Sequence, residues 1–213
     1  MLSHEAFRLA EPSGRKHILD AGCGPGAFLR VANKLAGDEG TVQLSGFDMC
    51  KGLVDICACN LDGYFKPGQL PGALAEYRDG SFSHSICFSV FLYLEDEAMA
   101  RQCVEELLRV TRPGGRVLIG DVSDLAKYEY SLKLRQGEAY RPAIGTGEDA
   151  ASVALVKEAD PDHCYLPKEM FRDICDQGGH TLTIVDDTEF PSLAESYPNA
   201  PYRYMVYITK KME

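Results

Sequence analysis

The segment Asp20-Ala-Gly22-Cys-Gly24-Pro-Gly26 constrains the fold more than any other part of the chain. It follows a short apolar run at 16–21 (KHILDA). It opens a second run at 27–35 (AFLRVANKL), whose Phe28, Val31, Ala32 and Leu35 recur at helical spacing. Three glycines at alternate positions let a backbone turn tightly and approach a ligand without Cβ clashes. A helix that starts there aims its free N–H groups at whatever lies in the turn. Strand, glycine turn and helix in that order open a parallel α/β sheet.

The alternation continues down the chain. Residues 41–47 (TVQLSGF) read as a second strand ending at Asp48, and 52–60 as a helix burying Leu53, Ile56 and Cys57. Residues 61–80 are rich in Gly and Pro, with a weak third strand at 64–70. The run 85–90 is continuously apolar, as expected of a strand covered on both faces. Residues 96–111 form the clearest helix, carrying Met99, Val104, Leu107, Leu108 and Val110. Pro113-Gly114-Gly115 ends that helix in a sharp turn before a strand at 116–122. The stretch 123–162 has a helix at 125–136 and then a long polar connection at 137–149, which reads as a lid-like insertion. A helix at 166–175, with Pro167 early, closes at Gly178-Gly179. Two strands follow at 182–185 and 202–209 and should pair antiparallel. The expected fold is α/β, with a seven-stranded, mostly parallel sheet, the last strand inserted antiparallel and helices on both faces.

Composition narrows the function classes. The 213 residues carry 22 basic and 32 acidic side chains, a net charge of −10. Such a chain repels phosphate backbones, so no nucleic-acid partner is expected. The most apolar stretch, 86–94, is far shorter than the ~20 residues of a spanning helix, so no membrane association is expected. The first residues do not read as a secretory signal. Eight cysteines, several inside apolar runs, read as buried reduced thiols, which makes a cytoplasmic protein the expectation. The one close pair, Cys57 and Cys59, has too short a spacing for a zinc site, and no metal is expected.

The chemistry lies around the glycine turn. The dinucleotide fingerprint is G-x-G-x-x-G. This chain has G-x-G-x-G with Asp20 two residues ahead of the first glycine. An acid there repels a pyrophosphate and attracts a cation. Asp48, at the tip of the neighbouring strand, can accept hydrogen bonds from both hydroxyls of a ribose. Together these features suggest a nucleoside that carries positive charge and no phosphate.

The chain resembles the class I, Rossmann-like S-adenosylmethionine-dependent methyltransferases from about residue 17 to residue 210. HILDAGCGPGAFL is similar to the family's first motif, and GFDMC to its second. DGSFSHSICFSVFLYLED resembles the segment through the fourth strand, and LLRVTRPGGRVLIGD the helix, turn and fifth strand. YLPKEMFRDICDQGG and YRYMVYITKK resemble the last helix and the antiparallel strand. The resemblance implies a single methyltransferase domain over 1–213, with S-adenosylmethionine as cofactor and S-adenosylhomocysteine as product. It places Asp20 near the methionine amino group and Ala21, Gly22, Cys23, Gly24 and Gly26 along the methionine and ribose. Asp48 would hold the ribose, Met49 would lie against the adenine, and Gln69 and Leu70 would reach the adenine amino group. Ser89 and Val90 would flank the methionine end. The chain departs from the family at Gln69 and at Ser83, where Asp is usual, and in a shortened N-terminal cap at 1–15.

The reading is therefore methyl transfer to a small-molecule acceptor by in-line displacement, in a monomer or homodimer. Candidates on the acceptor side are His163, Tyr93 and Asp121. His163 has the residue type for a general base, or it is simply a polar residue flanking a helix. Tyr93 lines the acceptor pocket or packs. The tyrosines of 197–207 read best as packing, and His17 and His84 as structural. The alternatives are a nicotinamide-dependent oxidoreductase, disfavoured by the glycine spacing, and a non-catalytic relative, disfavoured by the intact Asp20 and Asp48.

Overall fold

The computed structural model describes residues 16–36, 42–136, 163–190 and 197–212. Its strands are β1 (Lys16–Ala21), β2 (Val42–Asp48), β3 (Tyr64–Pro67), β4 (Phe82–Phe88), β5 (Thr111–Asp124), β6 (Tyr165–Leu166), β7 (Thr181–Asp186) and β8 (Arg203–Thr209). The helices are α1 (Ala27–Ala36), α2 (Lys51–Asn60), α3 (Glu97–Val110), α4 (Tyr128–Gln136) and α5 (Lys168–Gly178). The sheet runs β3-β2-β1-β4-β5-β8-β7, with β6 paired to β5 off that path. β8 is antiparallel to both β5 and β7, as the order of the last two strands required.

Side chains of each central strand alternate between two cores. Ile18, Ile86 and Leu118 join Leu29 and Ala32 of α1 and Cys57 of α2. Leu19, Cys87, Val117 and Ile119 join Val104 and Leu107 of α3 and Met170 and Phe171 of α5. The period of two therefore buries both faces of the sheet, and helices cover both. Asp96 starts α3 by accepting a hydrogen bond from the Met99 backbone N–H at 2.8 Å.

The chain order reverses between β1 and β4. From β1 it winds outward to β2 and β3, then crosses back to β4 and β5. In an open α/β sheet, a ligand crevice lies outside the carboxyl ends of the strands at such a reversal. Asp20, Asp48 and Ser89 stand at the carboxyl ends of β1, β2 and β4, and Asp121 lies within β5, where its pairing with β8 shifts register.

Three expectations are corrected. The Pro113-Gly114-Gly115 turn lies inside β5 as a bulge. Phe82 pairs with Thr111 and His84 with Arg116, so extra residues of β5 loop out between them. β6, two residues long, adds an eighth strand and is too short to leave a periodic trace. Ile56 is 48% exposed, and α2 buries Val54 and Cys57 instead. The lid-like insertion lies partly outside the described residues, since 137–162 are not among them, and neither is the N-terminal cap at 1–15. Its described part holds a short 3-10 turn at Leu125–Lys127 leading into α4.

Candidate active site

The glycine turn is built by its neighbours in β2 and β4. Gly22 and Cys23 donate their backbone N–H groups to the Phe47 carbonyl at 2.8 and 2.9 Å. Gly22, Gly24 and Gly26 all have positive φ, at 90°, 48° and 82°. A Cβ on Gly22 would fall 2.3 Å from Val90 Cγ2, whereas one on Gly24 would meet nothing within 4 Å. Gly22 therefore lets β4's exit pack onto the loop, and Gly24 leaves the loop's outer face open to a ligand. We expect Gly22→Ala to destabilise the protein by about 2–4 kcal/mol, from backbone strain and overpacking together. In the Val90→Ala background the clash is gone and only the strain remains, so the same substitution should cost about half as much. Thermal or urea unfolding of the four proteins checks this.

Asp48 braces the same loop. Its Oδ2 accepts from the Gly24 N–H at 2.9 Å and its Oδ1 from the Cys50 N–H at 2.8 Å. Each carboxylate oxygen has a further lone pair, so the group can still receive hydroxyls. Beside it, Asp20 is 2% exposed. Burial, with the Asp48 charge second, pushes the Asp20 pKa up to about 7. Two carboxyl groups and no described lysine or arginine hydrogen-bonded to either make this end of the crevice a place for a cation. A glycine cradle with an open outer face, flanked by a ribose-type carboxylate and a buried acid, fits a cationic nucleoside and does not fit a pyrophosphate. Met49 is 74% exposed beside Asp48, free to cover a flat ring. Cys23 is buried, and burial raises its thiol pKa, so it lies in the loop as packing and not as a nucleophile.

Asp48 also holds the next loop: the Gly68 N–H donates to its carbonyl at 2.9 Å. That places Gln69, which is exposed, near Asp48, while Leu70 is 5% exposed and packs in the core with Phe47 and Leu74. Of this pair, Gln69 has the side chain at the surface.

The second half of the crevice lies beyond β4 and β5. Ser89, just past β4, and Asp121, within β5, are the only described non-glycine residues with positive φ, at 57° and 60°. Strained backbone of this kind persists where the surroundings over-determine it and gathers at functional sites. The two are joined: Ser89 Oγ donates to Asp121 Oδ2 at 2.7 Å. Asp121 Oδ1 accepts from Tyr197 Oη at 2.7 Å and lies 3.6 Å from Arg203 Nε. Arg203 reaches on to His163, with Nη2 at 3.2 Å from Nδ1. The His163 ring meets the Tyr93 ring edge-on, with centroids 5.6 Å apart. Tyr93 itself is 66% exposed.

The three acceptor-side candidates thus belong to one connected group, which Ser89 joins through Asp121, while Asp48 and the glycine turn form another, with Val90 against Gly22 between them. Asp121 is engaged by hydrogen bonds from Ser89 and Tyr197 and by the Arg203 charge, so it organises the group. Sequence reasoning missed Arg203 and Ser123, whose side chains are in contact, and took Tyr197 for packing. A lone arginine opening an otherwise apolar strand (RYMVYIT) was the one signal available for Arg203. His17 and His84 stand elsewhere, as expected. His17 lies within 3.0 Å of Ser45 Oγ and 3.1 Å of the Ser81 carbonyl. His84 is buried in β4, and desolvation with three nearby cations lowers its pKa to about 4.

Residues 19–119 match the family model described as a methyltransferase domain. Among curated relatives, the chain is 28% identical over 120 residues to the O-methyltransferase resE of Aspergillus sclerotiorum, covering 54% of this chain and 42% of that protein. It is 33% identical over 114 residues to a tRNA (carboxymethyluridine(34)-5-O)-methyltransferase of Arabidopsis thaliana, covering 54% of this chain and 26% of that protein. The chain therefore spans less than half the length of these relatives. Among solved structures, the fold is similar to that of the plantazolicin methyltransferase BpumL in complex with a triazolic desmethylPZN analog and SAH. The TM-score is 0.63 at 15% identity, covering 97% of this chain and 81% of that one.

Proposed function

We propose, from the match of residues 19–119 to a methyltransferase domain and from the Rossmann-like fold, that the chain moves a methyl group from S-adenosylmethionine to a small-molecule acceptor by in-line displacement. The observation that carries this reading is the open glycine turn flanked by Asp20 and Asp48 at the reversal point of the sheet. Bound there, the cofactor supplies a methyl group already activated on a sulfonium. The protein's own contribution is then mainly alignment, which can supply several kcal/mol of barrier reduction. Asp48 accepts the ribose hydroxyls and keeps the loop closed through Gly24. Asp20 faces the cationic methionine end, and Met49 and Gln69 border the adenine. Ser89 and Val90 separate that end from the acceptor, which is bordered by Tyr93, His163 and the group organised by Asp121. The described residues 123–136, with β6 and α5 after them, stand on the acceptor side of the same domain. The eight free thiols support a cytoplasmic protein.

A second reading has a specific observation behind it, since the names of four relatives state a tRNA acceptor. The net charge of −10 weighs against it, because RNA binding is carried largely by contacts to phosphates. The experiment is thermal shift and calorimetric titration. S-adenosylhomocysteine should raise the melting temperature, following RT ln(1 + [L]/Kd), and NAD should leave it unchanged. Stabilisation by NAD alone would move the reading to the oxidoreductase class. Tight, salt-dependent tRNA binding would replace the small-molecule acceptor.

A further inference from the structure

A buried cation stands behind His163. Arg203 opens β8 and is 1% exposed. Its Nη1 lies 3.4 Å from the Asp121 carbonyl oxygen and also contacts Ser123 Oγ, while its guanidinium lies 5.1 Å from the centroid of the Tyr202 ring. Burial works against its charge, but the Asp121 carboxylate and nearby tyrosines outweigh that, and the pKa is raised. The remaining nitrogen, Nη2, lies 3.2 Å from His163 Nδ1.

This last contact has one possible sense. A guanidinium carries N–H donors and no acceptor, and it stays charged inside proteins. Nη2 therefore donates, and His163 Nδ1 accepts. A neutral imidazole has a single N–H, so with Nδ1 accepting, the proton sits on Nε2. An imidazolium would set N–H against N–H across this contact. We infer that Arg203 is a positioning residue: it holds His163 in the Nε2–H tautomer with Nδ1 covered, so His163 does not act as the acceptor's base. The inference rests on reading this crevice as the acceptor side of a methyltransferase.

The geometry around the pair supports that role. The two ring nitrogens point in divergent directions, so the Nε2 side faces away from the buried guanidinium. Tyr93, edge-on to the imidazole, limits rotation of the ring. Arg203 is itself fixed by Asp121, whose strained backbone and bonds to Ser89 and Tyr197 leave it little freedom. The one lone pair on the imidazole is covered by Arg203. A proton taken by His163 would have to go there, so any proton the acceptor releases passes to another group or to water.

The test is a long-range 1H–15N spectrum of histidine-labelled protein at neutral pH with S-adenosylhomocysteine added. The sequence has five histidines, and the His163 signals are those lost in His163→Gln. The expected pattern is a protonated Nε2 and an unprotonated Nδ1. Arg203→Met should lose the tautomer preference, moving both nitrogens toward averaged positions, and Arg203→Lys, which keeps a donor, should restore it. An Nδ1–H pattern or an imidazolium in the wild type would overturn the inference, as would an unchanged pattern in Arg203→Met. The wild-type spectrum decides even where a substitution at Arg203 prevents folding. Titration of the same sample reports on the underlying reading separately. Nε2–H without any S-adenosylhomocysteine binding would sink the methyltransferase reading and leave the Arg203–His163 pairing standing.

Discussion

Asp48→Ala is expected to weaken S-adenosylhomocysteine binding by about 100-fold or more while leaving the protein folded. Each hydrogen bond from a ligand hydroxyl to a charged carboxylate contributes roughly 1.5–3 kcal/mol, and two are lost. The loop that carries the cradle loosens as well, because Asp48 Oδ2 holds the Gly24 N–H and Oδ1 the Cys50 N–H. Those groups lie toward the surface and water can replace the carboxylate, so the cost to stability should be only about 1–2 kcal/mol. Asp48→Asn keeps one acceptor oxygen and should fall between the two proteins in affinity. Calorimetric titration of all three with S-adenosylhomocysteine is the measurement. An affinity in Asp48→Ala equal to that of the wild type would remove Asp48 from the cofactor site and undo the reading of the second motif.

The glycine-turn half of the crevice was legible in the sequence because local rules dictate it. Three glycines in alternate positions have few other uses, and all three take up positive φ. An acid at the tip of the adjacent strand is placed by register alone: Asp20 pairs with Gly46 and Ala21 with Phe47, which brings Asp48 level with the turn. The acceptor half was not legible in the same way. Its organising contacts join residues far apart in the chain, Asp121 with Tyr197 and Arg203 with His163, and no local pattern encodes them. Arg203 could be suspected only as a charge at the head of an apolar strand. The turn at Pro113-Gly114-Gly115 was recognised from composition, but that it would loop out within one continuous β5 depends on pairing with β4 on either side of it. Ile56 went wrong for a similar reason. In α2 its neighbours Val54 and Cys57 suffice to meet the sheet, and the helix can rotate Ile56 outward.

Asp20→Asn is expected to stabilise the cofactor-free protein above neutral pH and, at the same time, to weaken S-adenosylhomocysteine binding. The Asp20 carboxyl is nearly inaccessible, and burial first, then the neighbouring Asp48 charge, raises its pKa from 3.8 to about 7. Between those values the folded chain binds a proton that the unfolded chain has released, so stability falls as pH rises through this window. Below 3.8 both states are protonated and the group has no effect. Above about 7 both are ionised, and the folded protein bears the full cost of a buried charge beside a second one. At 1.36 kcal/mol per pKa unit that cost is on the order of 4 kcal/mol, an upper limit because local relaxation will reduce it. Asparagine stays neutral throughout. The melting temperature of Asp20→Asn should therefore exceed that of the wild type at alkaline pH, and the two should converge in acid. Cofactor binding should show the reverse preference. A cationic methionine end beside Asp20 favours the ionised carboxylate, so wild-type affinity should rise as pH climbs toward the Asp20 pKa, with a proton released on binding below it. The asparagine variant should lose that pH dependence and bind about 10- to 100-fold more weakly, as expected for losing one charge-assisted contact. Melting curves across pH, with calorimetry in two buffers of different ionisation heat, measure both effects. An asparagine variant less stable than the wild type at alkaline pH would show that the Asp20 charge is compensated within the fold; wild-type affinity in the variant would show that this acid does not face the ligand.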